Sequence, residues 1–122
     1  MGVYVKVRGF IECDGPQLAR LREIVRSPDA DQTYGGAWAF PERHYNWTHY
    51  AFYGADIRES ALEEFLDVLR AIARIPPSDE DEDAVTGLFH VSHEIEGMSE
   101  WRIRGGEVHV VPVGDAHRYL DE

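Results

Sequence analysis

Apolar and polar residues alternate from the start of the chain. Val3, Val5, Val7, Ile11 and Cys13 interleave with Tyr4, Lys6, Arg8, Phe10 and Glu12. A period of two with β-branched residues marks a half-buried strand, with Gly9 a candidate bulge. Asp14-Gly15-Pro16 breaks the pattern. From Pro16, a helix would gather Leu18, Leu21, Ile24 and Val25 on one face, and Ser27-Pro28-Asp29 would close it. Aromatic residues then crowd the segment from Tyr34 to Tyr53. Ala37-Trp38-Ala39-Phe40 reads as one strand and Trp47 to Tyr53 as the next, with Pro41 to Asn46 as the connecting loop. In the second strand Trp47, His49, Ala51 and Tyr53 should face one way, and Thr48, Tyr50 and Phe52 the other.

The clearest periodicity follows. Leu62, Phe65, Leu66, Leu69, Ile72 and Ala73 recur at helical spacing, while Glu63, Glu64, Asp67, Arg70 and Arg74 take the opposite side. Ser60 with Glu63 forms a candidate capping box, with Asp56 and Glu59 as a rival start, and Pro76-Pro77 ends the helix. Beyond an acidic run, Val85 to Ile95 reads as a strand. Trp101 to Arg104 and Glu107 to Val111 read as a hairpin about Gly105-Gly106. From about residue 114 the tail carries only Tyr119-Leu120 as an apolar anchor and is expected to be loosely held. The order β-α-β-β-α-β-β-β predicts a single α+β domain over residues 1–122. Its antiparallel or mixed sheet would carry both helices on one face, as a ferredoxin-like β-α-β-β-α-β core plus a C-terminal β-hairpin.

Charge narrows the possible partners. The 122 residues include 23 acids against 12 bases, a formal net charge of −11. A surface this acidic opposes nucleic-acid binding and docking on an anionic membrane, and it attracts a basic protein. A single cysteine, Cys13, permits no internal disulfide, and no apolar run has bilayer length. The chain opens directly on its alternating stretch with no leader-like segment, so a cytoplasmic location is expected.

Catalytic patterns fail in turn. The six histidines show no zinc-ligand spacing, and the three-residue offset of His90 and His93 turns them to opposite faces of a strand. His90-Val91-Ser92 is half of a two-histidine phosphoesterase signature, but no second H-x-[ST] accompanies it. Ser60 and Ser92 lie outside any G-x-S-x-G elbow, and Cys13 has no histidine close by in sequence. Asp79, Asp81 and Asp83 begin an EF-hand-like series that Ala84 and His90 break at its sixth and twelfth positions. Gly35-Gly36 and Gly105-Gly106 make turns and form no phosphate loop. The expectation is a non-enzyme with no metal and no cofactor.

Recognition features remain. Trp38, Trp47, Tyr50 and Trp101 are expected to be mostly core, whereas Tyr34, His44 and Tyr45 fall among polar loop residues where aromatic anchors serve binding. Asp79, Glu80, Asp81, Glu82 and Asp83 read as a solvated acidic loop that would also make a docking surface for an Arg/Lys-rich site.

Gly36-Ala37-Trp38, Asn46-Trp47-Thr48-His49, and Trp101 leading into Gly105-Gly106-Glu107-Val108 carry a family resemblance. Together with the acidity and the short α+β elements, they make most of the chain similar to the small bacterial immunity proteins of polymorphic toxin systems. The resemblance implies a cytoplasmic inhibitor that binds a cognate secreted toxin domain, often a nuclease, and that has no catalytic residues. Two other readings compete with it. One is a small-molecule binder or enzyme with His44, His49 and His90 lining a pocket between sheet and helices. The other is an oligomerising domain with a large apolar patch and a homodimeric state.

Overall fold

The alternating N-terminal run becomes the middle of a sheet. In the computed structural model, which describes residues 2–27, 34–43, 45, 47–78, 80 and 82–122, β1 (Tyr4–Cys13) pairs along its length with β3 (His49–Arg58) and β4 (Thr86–His93). Val5, Val7 and Ile11 are fully buried, while Lys6, Arg8, Phe10 and Glu12 point to the opposite face. Gly9 makes no bulge. The register runs unbroken through Gly9↔Tyr53 and Gly9↔Phe89. The glycine is there because the Phe89 ring occupies the space a side chain would need.

The helix α1 (Gly15–Arg26) starts with a capping box in which the Asp14 carboxylate accepts the Gln17 N–H at 2.9 Å. The Gln17 side chain accepts the Asp14 N–H at 3.0 Å in return. The second helix, α2 (Leu62–Ala73), buries Phe65, Leu66, Leu69, Ile72 and Ala73, as its periodicity requires. Neither expected capping box forms at its start. Asp56 still belongs to β3, a 3-10 turn over Glu59–Ala61 absorbs Ser60, and Glu59 turns away to His93.

The two-residue β2 (Trp38–Ala39) pairs with β3, and β5 (Gly97–Arg104) lies between β4 and β6 (Glu107–Pro112). The sheet order is β2-β3-β1-β4-β5-β6, with every neighbouring pair antiparallel. The protein is thus α+β, a six-stranded antiparallel sheet with two helices. The strand expected over Ala37–Phe40 shrinks because Gly35–Ala37 wind into a 3-10 turn. Val85 anchors the core ahead of β4, and Ile95 lies exposed in the β4–β5 turn.

Both helical stripes and one sheet face share a single core. Phe65 sits at its aromatic centre, with ring centroids 4.6 Å from Tyr53, 5.8 Å from Phe89, 6.2 Å from Trp101 and 6.3 Å from Trp38. Among the described residues no helix is long and apolar enough to cross a membrane.

Candidate functional site

With the helices on one face, the other face of the sheet is left to side chains that alternate with the core. The register arranges them in rows. Phe52, Phe10 and Leu88 stand abreast on β3, β1 and β4, and Tyr50 flanks them beside Glu12. The Tyr50 and Phe52 rings stack at 5.8 Å with an 11° interplanar angle. Just before β3, Tyr45 is 79% and Trp47 82% exposed. Tyr50, Phe52, Phe10 and Leu88 form an apolar, aromatic end of the open face.

The acidic segment reaches the same end. Glu12 is opposite both Tyr50 on β3 and Thr86, the first residue of β4, which follows directly from the acidic run. Gln17 of α1 donates to the Asp83 carbonyl at 2.9 Å, and Ser78 donates to the Asp14 carboxylate. These bonds tie both flanks of the run to the start of α1, and Glu80, Glu82 and Asp83 are exposed. Asp79, Asp81 and His44 lie outside the described residues.

Tyr34 does not behave as an anchor for a partner. Its hydroxyl accepts the Arg58 N–H at 3.1 Å, and it lines a narrow crevice with Val25, Trp38, Tyr53, Phe65 and Val68. That crevice lies between sheet and helices, the location of the expected histidine-lined pocket, and none of the described histidines lines it. His90 projects from the opposite face, and His49 stands at the start of β3 opposite Cys13. The Cys13–His49 pairing does not produce a nucleophile. Burial, helped by the nearby Asp14 charge, pushes the thiol up to about 12, so the thiolate is scarce at neutral pH.

His93, buried on the helix side, is fully engaged. Its Nε2 donates to the Glu59 carboxylate at 2.5 Å, while Nδ1 accepts the N–H groups of Ile95 at 3.1 Å and Glu96 at 3.0 Å. With both nitrogens committed, the ring fastens the β4–β5 turn to the lead-in of α2 and has no lone pair for a ligand.

The other end of the open face is polar. Arg8, His90 and Glu100 stand abreast on β1, β4 and β5, next to a row of Asp56, Lys6 and Ser92. The C-terminal segment folds over them. Its 3-10 turn, Arg118–Asp121, brings the Asp121 carboxylate to Arg8 Nη2 at 3.1 Å and to the Ser92 hydroxyl at 2.5 Å. His117 approaches Glu100 at 3.3 Å and meets the His90 ring edge-on at 5.0 Å.

The tail anchors are therefore Asp121 and His117. The expected Tyr119 and Leu120 remain exposed. The Ser92 hydroxyl, with Arg8 beside it, holds the Asp121 carboxyl below its ordinary value, and Arg102 does the same for Glu100. Desolvation, reinforced by His117 and Arg8, lowers the His90 pKa. Both His90 nitrogens and Arg8 Nη1 are shut from solvent and have no hydrogen-bond partner.

Sequence reasoning missed this cluster because Arg8 and Asp121 are 113 positions apart. The one available signal was that Arg8 and His90 both occupy polar positions of alternating strands. Among the described residues, no group of three or more His, Cys, Asp or Glu side chains is placed to hold a metal ion. Comparison with known proteins finds no matching family model, and neither the curated proteins nor the solved structures yield a match.

Proposed function

We propose that this chain is a non-catalytic, ferredoxin-like α+β domain, extended by a C-terminal hairpin, that binds a basic protein through the aromatic end of its open sheet face. The alternation β2-β3-β1-β4 with all neighbours antiparallel supports the ferredoxin-like reading, with β5 and β6 as the extension. One observation carries the functional reading. The register sets a partly exposed apolar cluster, built from Tyr50, Phe52, Phe10 and Leu88, beside the start of β4, which follows the acidic run ending at Asp83. The exposed Trp47 lies just ahead of β3. Aromatics that stack and stay exposed supply desolvated anchors, while neighbouring acids steer a basic partner and penalise an acidic one.

In keeping with the resemblance to immunity proteins, the partner is a basic toxin domain met in the cytoplasm. Binding would cover its active site with the acidic and aromatic end of the sheet.

The test uses a basic toxin domain, if one is found encoded beside this chain. Stoichiometric chain should abolish toxin activity, and the association rate should fall by roughly tenfold or more between low and high salt, since steering decays with the Debye length. A toxin that stays active with the chain in excess would overturn the proposal.

A further inference from the structure

The polar end of the open face has a different character, and its chemistry is only half satisfied. Asp121 offers two carboxylate oxygens, one taken by Arg8 Nη2 and the other by Ser92. Three inaccessible nitrogens beside them, Arg8 Nη1 and both ring nitrogens of His90, are left without partners. Buried polar atoms without partners carry a desolvation cost, and native folds rarely leave three of them together. Lys6 stands next to Ser92 in register, and its ammonium reaches Asp56 only at 3.9 Å. In its present pose the planar Asp121 carboxylate does not meet both arms of the guanidinium and the imidazole as well as the hydroxyl. A tetrahedral oxyanion with several acceptor oxygens can meet them together, and Arg is well suited to grip it in fork geometry.

The segment carrying Asp121 is lightly held. Val113 makes a 3.3 Å backbone bond to Met98, and beyond it the large apolar side chains, Tyr119 and Leu120, stay exposed. Its attachment to the sheet rests on polar contacts at Arg8, Ser92 and Glu100.

We propose that Arg8, His90, Ser92 and Lys6 form an oxyanion site for a phosphate-type ligand, and that Asp121 occupies it as a built-in competitor. The site is independent of the protein-binding surface at the other end of the sheet. Binding displaces the Arg118–Asp121 turn and replaces one carboxylate with an anion that also engages Arg8 Nη1 and a His90 N–H. The chain's net charge of −11 opposes any anion at long range, so recognition depends on these short contacts and is weak for the free ion.

The experiment follows the His90 imidazole signals by NMR in the full chain during titration with inorganic phosphate. Chloride holds the ionic strength constant, and acetate serves as a parallel arm. Phosphate should give a saturable shift at His90, and acetate a weaker one. Asp121→Asn should tighten phosphate binding roughly tenfold, the factor expected if the tail occupies the site about nine-tenths of the time. Arg8→Gln should abolish the shift. Ser92→Ala, a smaller change to the fold, should weaken it.

Either of two results overturns the proposal: phosphate perturbs His90 no more than chloride does, or Asp121→Asn binds no more tightly than the wild type. Acetate matching phosphate overturns the tetrahedral class of ligand.

Discussion

Replacing Gly9 by alanine adds one methyl group at the most crowded point of the sheet. The new Cβ would lie 2.4 Å from Phe89 Cδ1 and 2.5 Å from the Leu88 carbonyl oxygen. Carbon atoms normally settle at about 3.5–4.0 Å, so more than an ångström of displacement is required. Phe89 cannot supply it. It is fully buried, with the Phe65 ring 5.8 Å and the Trp38 ring 6.1 Å away. The Leu88 carbonyl is backbone in the paired strand β4, so relief must come from separating β1 and β4.

Overpacking of this kind costs about 1–3 kcal/mol when side chains can adjust, and the backbone clash puts Gly9→Ala at the upper end, about 3 kcal/mol. For a domain of this size that corresponds to roughly a 10 °C fall in Tm. Gly54→Ala is the matched control. It lies on the adjacent strand opposite Arg8, and a Cβ there meets nothing within 4 Å. It should be neutral or stabilise by up to about 1 kcal/mol, because it removes a strand glycine's excess unfolded-state freedom.

Thermal and urea unfolding of both variants, with Phe89→Leu as the second arm of a double-mutant cycle, measure the effect. Phe89→Leu should recover about 1 kcal/mol or more of the Gly9→Ala loss. A Gly9→Ala protein within about 0.5 kcal/mol of wild type would refute the packing argument. Gly9 lies between Arg8 and Phe10, so spreading the strands there should also weaken both ends of the open face.

Other expectations follow from the same contacts. Trp47→Ala should leave Tm nearly unchanged, since the side chain is 82% exposed, yet reduce partner affinity by about 2 kcal/mol or more in calorimetric titration if Trp47 is an anchor. His93→Ala removes the acceptor for two turn N–H groups and the partner of Glu59. It should cost about 2–3 kcal/mol in chemical denaturation, and an unchanged midpoint would deny the ring its structural role.

The pH dependence of stability should show two windows. His90 is held below its ordinary value of 6.5, so the folded state binds fewer protons there than the unfolded state, and stability falls as pH drops below about 6.5. Asp121 and Glu100 are also held low, and their contributions disappear only in the acid range, as pH falls below about 4. His90→Gln should flatten the upper window alone, read from urea midpoints between pH 5 and 7.

Local pattern carried the elements well, and pairing carried what local pattern could not. The α2 stripe from Leu62 to Ala73 and the alternation of β1 state their own periods, and the buried residues follow them. Helix starts were harder to read. Asp14 and Gln17 cap α1 with a D-x-x-Q box written plainly in the chain, whereas the equally good Ser60–Glu63 pair goes unused. Tertiary contact decided the difference, because β3 runs on to Arg58 and His93 draws Glu59 away from the helix start. Trp38, Trp47 and Trp101 look alike in sequence. Trp38 and Trp101 sit in β2 and β5 and pack on or within the core, whereas Trp47 falls in the turn before β3 and stands in solvent. The Arg8–His90–Asp121 cluster exists only through register and chain return, so no window of sequence contains it.

The open face explains why one small domain has two such unlike ends. A six-stranded sheet with helices on one side must do something with the other, because bare apolar rows invite edge and face association. Over Arg8, His90 and Ser92 the chain solves this with polar side chains and its own folded-back tail. Over Phe10, Phe52 and Leu88 it leaves the rows at least partly exposed and sets acids beside them. Packing alone would favour polar residues at those positions too, since none of them helps fill the core on the far side. Keeping aromatics in water at one end while shielding the other is a cost the fold does not need. Binding at the exposed end, as proposed, would offset that cost, and at the self-covered end Asp121 would hold Arg8 and Ser92 until a competing anion displaced it.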